Sequence, residues 1–173
     1  MKAQFIGNHL KLATERKELT QRELADETHR AKTTINGYFN SEPTPIEAMV
    51  DIAGVIDDSI LSQQFSHVVF DGIPAMESEV FNQTPHTLDI IQMIESDERK
   101  ASKNQAMFAL TKNKTSLTEE DKAVIADYAM NFLDEVFIEI RYIISLLDQL
   151  DMSLMTAVKE RIPYWKLKDY LRR

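Results

Sequence analysis

The chain has no cysteine in 173 residues. That excludes disulfides and thiolate metal sites, and it suits a cytoplasmic setting. Glycine and proline are scarce, at 4 and 5, which leaves little material for the tight turns of a hairpin-rich β fold. No apolar run approaches the roughly 18 residues of a membrane-spanning helix, and no hydrophobic leader opens the chain. Neither a membrane span nor a signal peptide is therefore expected. The histidines His9, His29, His67 and His86 are dispersed, none three or four residues from another, so no metal site is indicated. A Gly-rich phosphate loop, a Gly-x-Ser-x-Gly elbow and a His-Glu-x-x-His helix are all missing. No catalytic residue stands out, no cofactor is implied, and an enzyme is not expected. Acidic clusters such as Glu119-Glu120-Asp121 and Asp134-Glu135 read as helix capping and solvation.

What remains is a chain 43% hydrophobic and 28% charged, rich in Leu, Ile, Ala, Glu, Lys and Met. This is the composition of an all-α globular protein. Its net charge is −8, which argues against indiscriminate nucleic-acid binding. Residues 1–57 hold 7 basic and 9 acidic side chains, residues 58–116 hold 5 and 8, and residues 117–173 hold 8 and 11. Any affinity for DNA must then come from a local basic face, because counterion release scales with the phosphates contacted. Lys2, Lys11, Arg22, Arg30 and Lys32 are the available cations, and Glu23, Asp26, Glu27 and Glu42 would have to lie away from the duplex.

The sharpest pattern runs from Leu19 to Asn40. Thr20 with Glu23 makes a capping box, the start of a helix whose Leu24 faces inward and whose small Ala25 permits a close crossing. A short break follows, and Ala31 leads into a second helix with Ile35 and Tyr38 turned inward. That spacing fits a helix-turn-helix, which lays its second helix in the DNA major groove. Around it, the periodicity predicts an opening helix from about Phe5 to Glu18. It also predicts a fourth helix opened by Thr44-Pro45, and a fifth capped by Asp57-Asp58-Ser59 and bearing Ile60, Leu61 and Phe65. Residues 1–70 thus read as one five-helix domain.

Residues 71–115 read as a partly helical connector, with a helix from Pro85 to Ser96 and then a Lys-, Asn- and Ser-rich stretch. From residue 116 the signal sharpens. Ser116 with Glu119 reads as a second capping box opening a helix to about Leu150, roughly 50 Å long. Met130, Leu133, Phe137, Ile140, Ile144 and Leu147 recur on it at spacings of three and four. Phe132, Val136, Ile143, Leu146 and Leu150 form a stripe beside them. Two short terminal helices, Ser153–Arg161 and Pro163–Leu171, cannot cover so wide a surface, so residues 116–173 read as a homodimerisation region. The alternative is that the connector helix covers the surface within one chain. Lys159, Arg161, Lys166, Lys168, Arg172 and Arg173 surround Tyr164, Trp165 and Tyr170. This cluster reads as a docked terminal helix anchored by Trp165, with a nucleic-acid contact as the alternative.

Residues 5–70 resemble the lambda-repressor-like helix-turn-helix family of the XRE/Cro type. The resemblance rests on Leu19-Thr20-Gln21, Glu23-Leu24-Ala25, Thr33-Thr34-Ile35, Tyr38-Phe39-Asn40 and Pro45. It implies a cytoplasmic, sequence-specific transcriptional regulator of double-stranded DNA, a repressor of a kind common in bacteria and their phages. The resemblance assigns base reading to Lys32, Thr33, Asn36 and Gly37, and backbone contact to Gln21, Arg22, Arg30, Thr34, Tyr38 and Asn40. A symmetric dimer would need an inverted repeat with half-sites about 34 Å apart. The turn departs from the family: Thr28-His29-Arg30 stands where an apolar residue, Gly and another apolar residue are usual. His29 must then take a positive φ at some cost, and Arg30 must extend its head to water or phosphate. Gly37 has two readings, close approach to the groove or neutral drift. The alternative function is a helix-turn-helix turned to protein binding, such as an antirepressor, a phage-encoded inhibitor or an antitoxin.

Overall fold

The computed structural model describes residues 5–172, and among these it is all-α, with eight α-helices, one short 3-10 turn and no strand. The first five helices are α1 (Gly7–Arg16), α2 (Gln21–Glu27), α3 (Lys32–Phe39), α4 (Ile46–Ile56) and α5 (Ser59–Phe70). Then come α6 (Pro85–Ala109), the 3-10 turn Lys114–Ser116, α7 (Glu119–Asp148) and α8 (Leu154–Leu167). No helix among the described residues is long and apolar enough to cross a membrane.

The chain divides into two compact units. One runs through Ala75 and resumes at Met152; the other is Met76–Asp151. The first unit is built around Ile6, Leu10, Leu24, Ile35, Met49, Ile52 and Leu61, all at most 2% exposed. Each such side chain contributes about 1.5–3 kcal/mol of transfer free energy. Polar groups fix the helix ends. Arg16 donates from Nε and Nη2 to the two Asp58 oxygens at 2.9 and 2.8 Å, while Asp58 Oδ1 caps α5 by accepting from Leu61 N–H at 2.7 Å. The same corner holds α8: Ser153 Oγ donates to Asp57 Oδ1 at 2.7 Å, and Leu154 N–H donates to Ser59 Oγ at 2.9 Å. The terminal helix, expected to extend the dimerisation region, therefore belongs with the first five.

In the second unit α6 and α7 form a hairpin, and the connector reading of residues 71–115 gives way to a 25-residue helix. Within the Lys-, Asn- and Ser-rich stretch, Ser96, Arg99, Ser102, Ala106 and Ala109 turn from solvent, while Lys100, Lys103 and Asn104 stay exposed. Arg99 Nη2 donates to Glu135 Oε1 at 3.4 Å and Arg99 Nε to Glu135 Oε2. Gln92 Nε2 reaches Glu135 and Glu139 at 3.5 Å, and Asn131 Nδ2 donates to Ser102 Oγ at 3.4 Å. On α7 this seam follows Val124, Tyr128, Asn131, Glu135, Ile138, Tyr142 and Ser145, alternating spacings of four and three, the repeat of a two-helix coil.

Three local expectations are corrected. The capping box of α7 uses Thr118 and Asp121 instead of Ser116 and Glu119. Thr118 N–H donates to Asp121 Oδ2 at 2.9 Å, and Lys112 Nζ adds bonds to both Asp121 oxygens at 2.7 and 2.8 Å, a third partner that decides the register. Thr44 does not cap α4: it is fully buried, and Pro45 occupies the cap position. The two expected terminal helices are one, with Pro163 inside α8. Pro163 forgoes a single backbone bond there without ending the helix.

Candidate nucleic-acid interface

Two short helices joined by a four-residue turn, Thr28–Ala31, form the candidate site. Thr20 opens α2 with the expected capping box: its Oγ1 accepts from Glu23 N–H at 3.2 Å, and Glu23 Oε2 accepts from Thr20 N–H at 2.8 Å. The Thr20 backbone and side-chain bonds together hold the Glu23 carboxyl below its usual range. In the turn, His29 takes φ 52°, the positive value expected of a position that favours Gly, and Arg30 N–H closes the motif on Ala25 O at 2.9 Å.

Along α3, Ile35, Tyr38 and Phe39 enter the core while Lys32, Thr33, Asn36 and Asn40 face solvent. The first turn of α3 carries no side-chain cap. Asn40 Nδ2 donates to Asn36 O at 2.8 Å and Asn36 Oδ1 at 3.2 Å, so the two amides form one outward unit. Gln21 and Thr34 are half-buried, and Arg22 is exposed with its Nε 3.9 Å from Asp26 Oδ2.

Three residues sit differently from the roles assigned them. Tyr38 is 7% exposed and packs in the core, as its inward position on α3 predicted, and does not sit on the backbone-contacting face that the resemblance assigned. Arg30 is half-buried and its guanidinium is engaged within the domain: Nη2 pairs with the exposed Asp51 Oδ2 on α4, while Nε is buried without a hydrogen-bond partner. Gly37 is buried as well. A β-carbon there would stand 2.3 Å from Glu42 Oε2, so the missing side chain makes room for a carboxylate.

Glu42, which the DNA reading required to lie away from the duplex, instead covers Gly37 on α3, a position the sequence reasoning missed. Ser41 takes φ 67° and Glu42 N–H donates to Gly37 O at 2.9 Å, a six-to-one closure at the end of α3. That closure folds residue 42 back over residue 37. The signal was present: a glycine five positions before an acid, with Asn-Ser at the helix end between them.

Elsewhere in this unit, Arg161 stacks its guanidinium 3.8 Å above the Tyr164 ring, Lys168 lies 5.7 Å from the same ring, and Trp165 is half-buried. In the second unit, Ile144 is 1% exposed and so is closed to any partner, while Phe137, Ile140 and Leu147 are half-buried and Met130 and Leu133 are exposed. No cluster of three or more His, Cys, Asp or Glu among the described residues is arranged to hold a metal. No protein-family model matches this chain, and no curated protein or solved structure matches it either.

Proposed function

We propose that the chain is a sequence-specific regulator that binds duplex DNA through α3. One observation carries the reading: Lys32, Thr33, Asn36 and Asn40 share the face of α3 turned away from the core, directly after a short turn. Lysine donates to guanine O6 and N7, asparagine pairs with adenine, and a threonine methyl meets the thymine methyl. Gln21 at the start of α2 and Arg22 beside it supply backbone contacts that set register. Selection of bound duplexes from a random pool tests the reading. Enrichment of a defined motif supports it, and enrichment of none contradicts it.

A second reading is a protein-binding helix-turn-helix. Glu42 over Gly37 and the Arg30–Asp51 pair favour it, since both place or satisfy charge where a phosphate would need an open cation. Such a surface would bind a basic partner with little dependence on duplex sequence.

A further inference from the structure

We infer that one flank of the α6–α7 hairpin docks a basic amphipathic helix of a partner protein, which sets an apolar anchor beside Phe108 and its cations along α7. The inference rests on the second unit alone and goes beyond the DNA reading.

The net charge of the chain lies wholly in that unit. Residues 76–151 hold 15 acidic and 7 basic side chains, a net of −8, whereas the first unit holds 13 of each. Most cations of the second unit are already engaged: Arg99, Lys100, Lys112 and Lys122 pair with Glu135, Asp97, Asp121 and Glu119. Among the described residues, Glu120 and Asp134 have no hydrogen bond or ion pair from their side chains.

Glu120, Asp127 and Asp134 recur every seven residues on α7. Seven residues fall about 20° short of two full turns, so the three carboxylates form one line about 21 Å long. Both ends of the line border α6. Glu120 and Val124 line a groove of about 420 Å³ together with Gln105, Phe108 and Ala109 of α6, and its surface is largely apolar. At the other end, burial and the charges of Glu98 and Asp134 push the carboxyl of Glu95 on α6 above its usual range. Between them, Asp127 Oδ2 lies 3.5 Å from Asn131 Nδ2, the amide that donates to Ser102 of α6.

This pattern selects the occupant. A line of carboxylates repels nucleic acid and anionic lipid. A lone cation or a polyamine leaves the groove and Phe108, 71% exposed, uncovered. A helix with lysine or arginine every seven residues meets all three carboxylates, and apolar side chains beside its first cation enter the groove. Among the described residues this chain has no such helix: α8, its most basic, ends at Leu167 with only Lys159 and Lys166 at that spacing.

The probe is an alanine-based helical peptide with lysines seven residues apart and leucines beside the first of them. Titrated into the full chain without DNA and followed by fluorescence anisotropy, it should bind about tenfold more tightly than a peptide of the same composition with lysines five residues apart. Asp127→Asn with Asp134→Asn should weaken binding about fivefold, as expected for the loss of two exposed ion pairs. Phe108→Ala should weaken it about tenfold through the lost aromatic anchor. All three side chains are exposed, so helicity should not change. Equal binding of the two peptides overturns the inference, as does binding that survives either set of substitutions unchanged. Sedimentation of the chain alone as a dimer that Asp127→Asn with Asp134→Asn dissociates also overturns it, since a second copy is then the occupant. None of these readouts involves DNA, so they fail or succeed apart from the α3 reading.

Discussion

The Glu42 carboxylate lies across the Cα of Gly37, with Oε2, Cδ and Oε1 all within 3.0 Å of where a β-carbon would stand. A negative charge thus rests on the outward face of the helix proposed to enter the groove. Duplex phosphates and this carboxylate repel each other, so Glu42→Gln should tighten duplex binding about tenfold, roughly 1.4 kcal/mol. Fluorescence anisotropy with a selected duplex measures it. Gly37→Ala only displaces the end of a flexible side chain and regains helix propensity of up to about 1 kcal/mol, so it should leave thermal stability equal or slightly raised.

Gly7 is the opposite case. A β-carbon there would meet backbone, 2.7 Å from Phe39 O and 3.0 Å from Tyr38 O, at the end of α3. Those carbonyls cannot step aside without moving α3. Gly7→Ala should destabilise the first unit by about 1–3 kcal/mol, the range for overpacked cores. It should also weaken duplex binding, because α3 shifts. Thermal denaturation and anisotropy together separate it from the benign Gly37→Ala.

Arg99 and Glu135 form the centre of the hairpin seam, with side chains 19% and 4% exposed. Burial alone would push the Glu135 carboxyl up, yet the bonds from Arg99 and Ser96 prevail and hold it below its usual range. Glu135→Gln strands a guanidinium in the seam and should cost about 3 kcal/mol. Replacing both residues, Glu135→Leu with Arg99→Leu, should recover most of that loss, since an apolar pair of similar volume needs no desolvation. Chemical denaturation of the four proteins gives the coupling directly.

Acid should loosen the start of α7 within a defined window. Lys112 and the Thr118 backbone N–H lower the Asp121 carboxyl from 3.8 to about 2. A carboxyl depressed on folding stabilises fully above its unfolded value, and that stabilisation fades as pH falls from about 4 through about 2. Glu23 at the start of α2 is depressed by its Thr20 bonds and has the same sign. Melting curves from pH 2 to 7 should show the loss in that window. The slope should diminish in Asp121→Asn.

Much of the fold was legible because local chemistry agreed with tertiary demand. Thr20-x-x-Glu23 capped α2, Asp58 capped α5, and the inward pair Ile35 and Tyr38 lay at helical spacing on α3. His29 took the left-handed conformation that its place in the turn required. Legibility failed where pairing across space decided the outcome. Thr118 displaced Ser116 as a cap because Lys112 stands beside Asp121, a contact no local window contains. The polar run after Ser96 read as a connector, because helical periodicity was judged by large apolar residues while Arg99 and Ser102 join it to α7 through polar bonds. In the candidate site, Lys32, Thr33, Asn36 and Asn40 emerged on one solvent face and Tyr38 on the inner one, as their spacing read, whereas Gly37, assigned to base reading, lies buried. Its burial depends on the fold-back of residue 42, which the helix-turn-helix spacing does not encode.

The measurement closest to the central claim is duplex affinity against salt, for the unaltered chain and for Lys32→Ala. A groove reader releases counterions from each phosphate it neutralises, so the logarithm of affinity should fall steeply with the logarithm of salt, with a slope of about −3 or steeper. Lys32→Ala should lose discrimination between the selected duplex and a scrambled one by about 1–3 kcal/mol. A flat salt response, or equal binding to both duplexes by the unaltered chain, would contradict a DNA-reading α3.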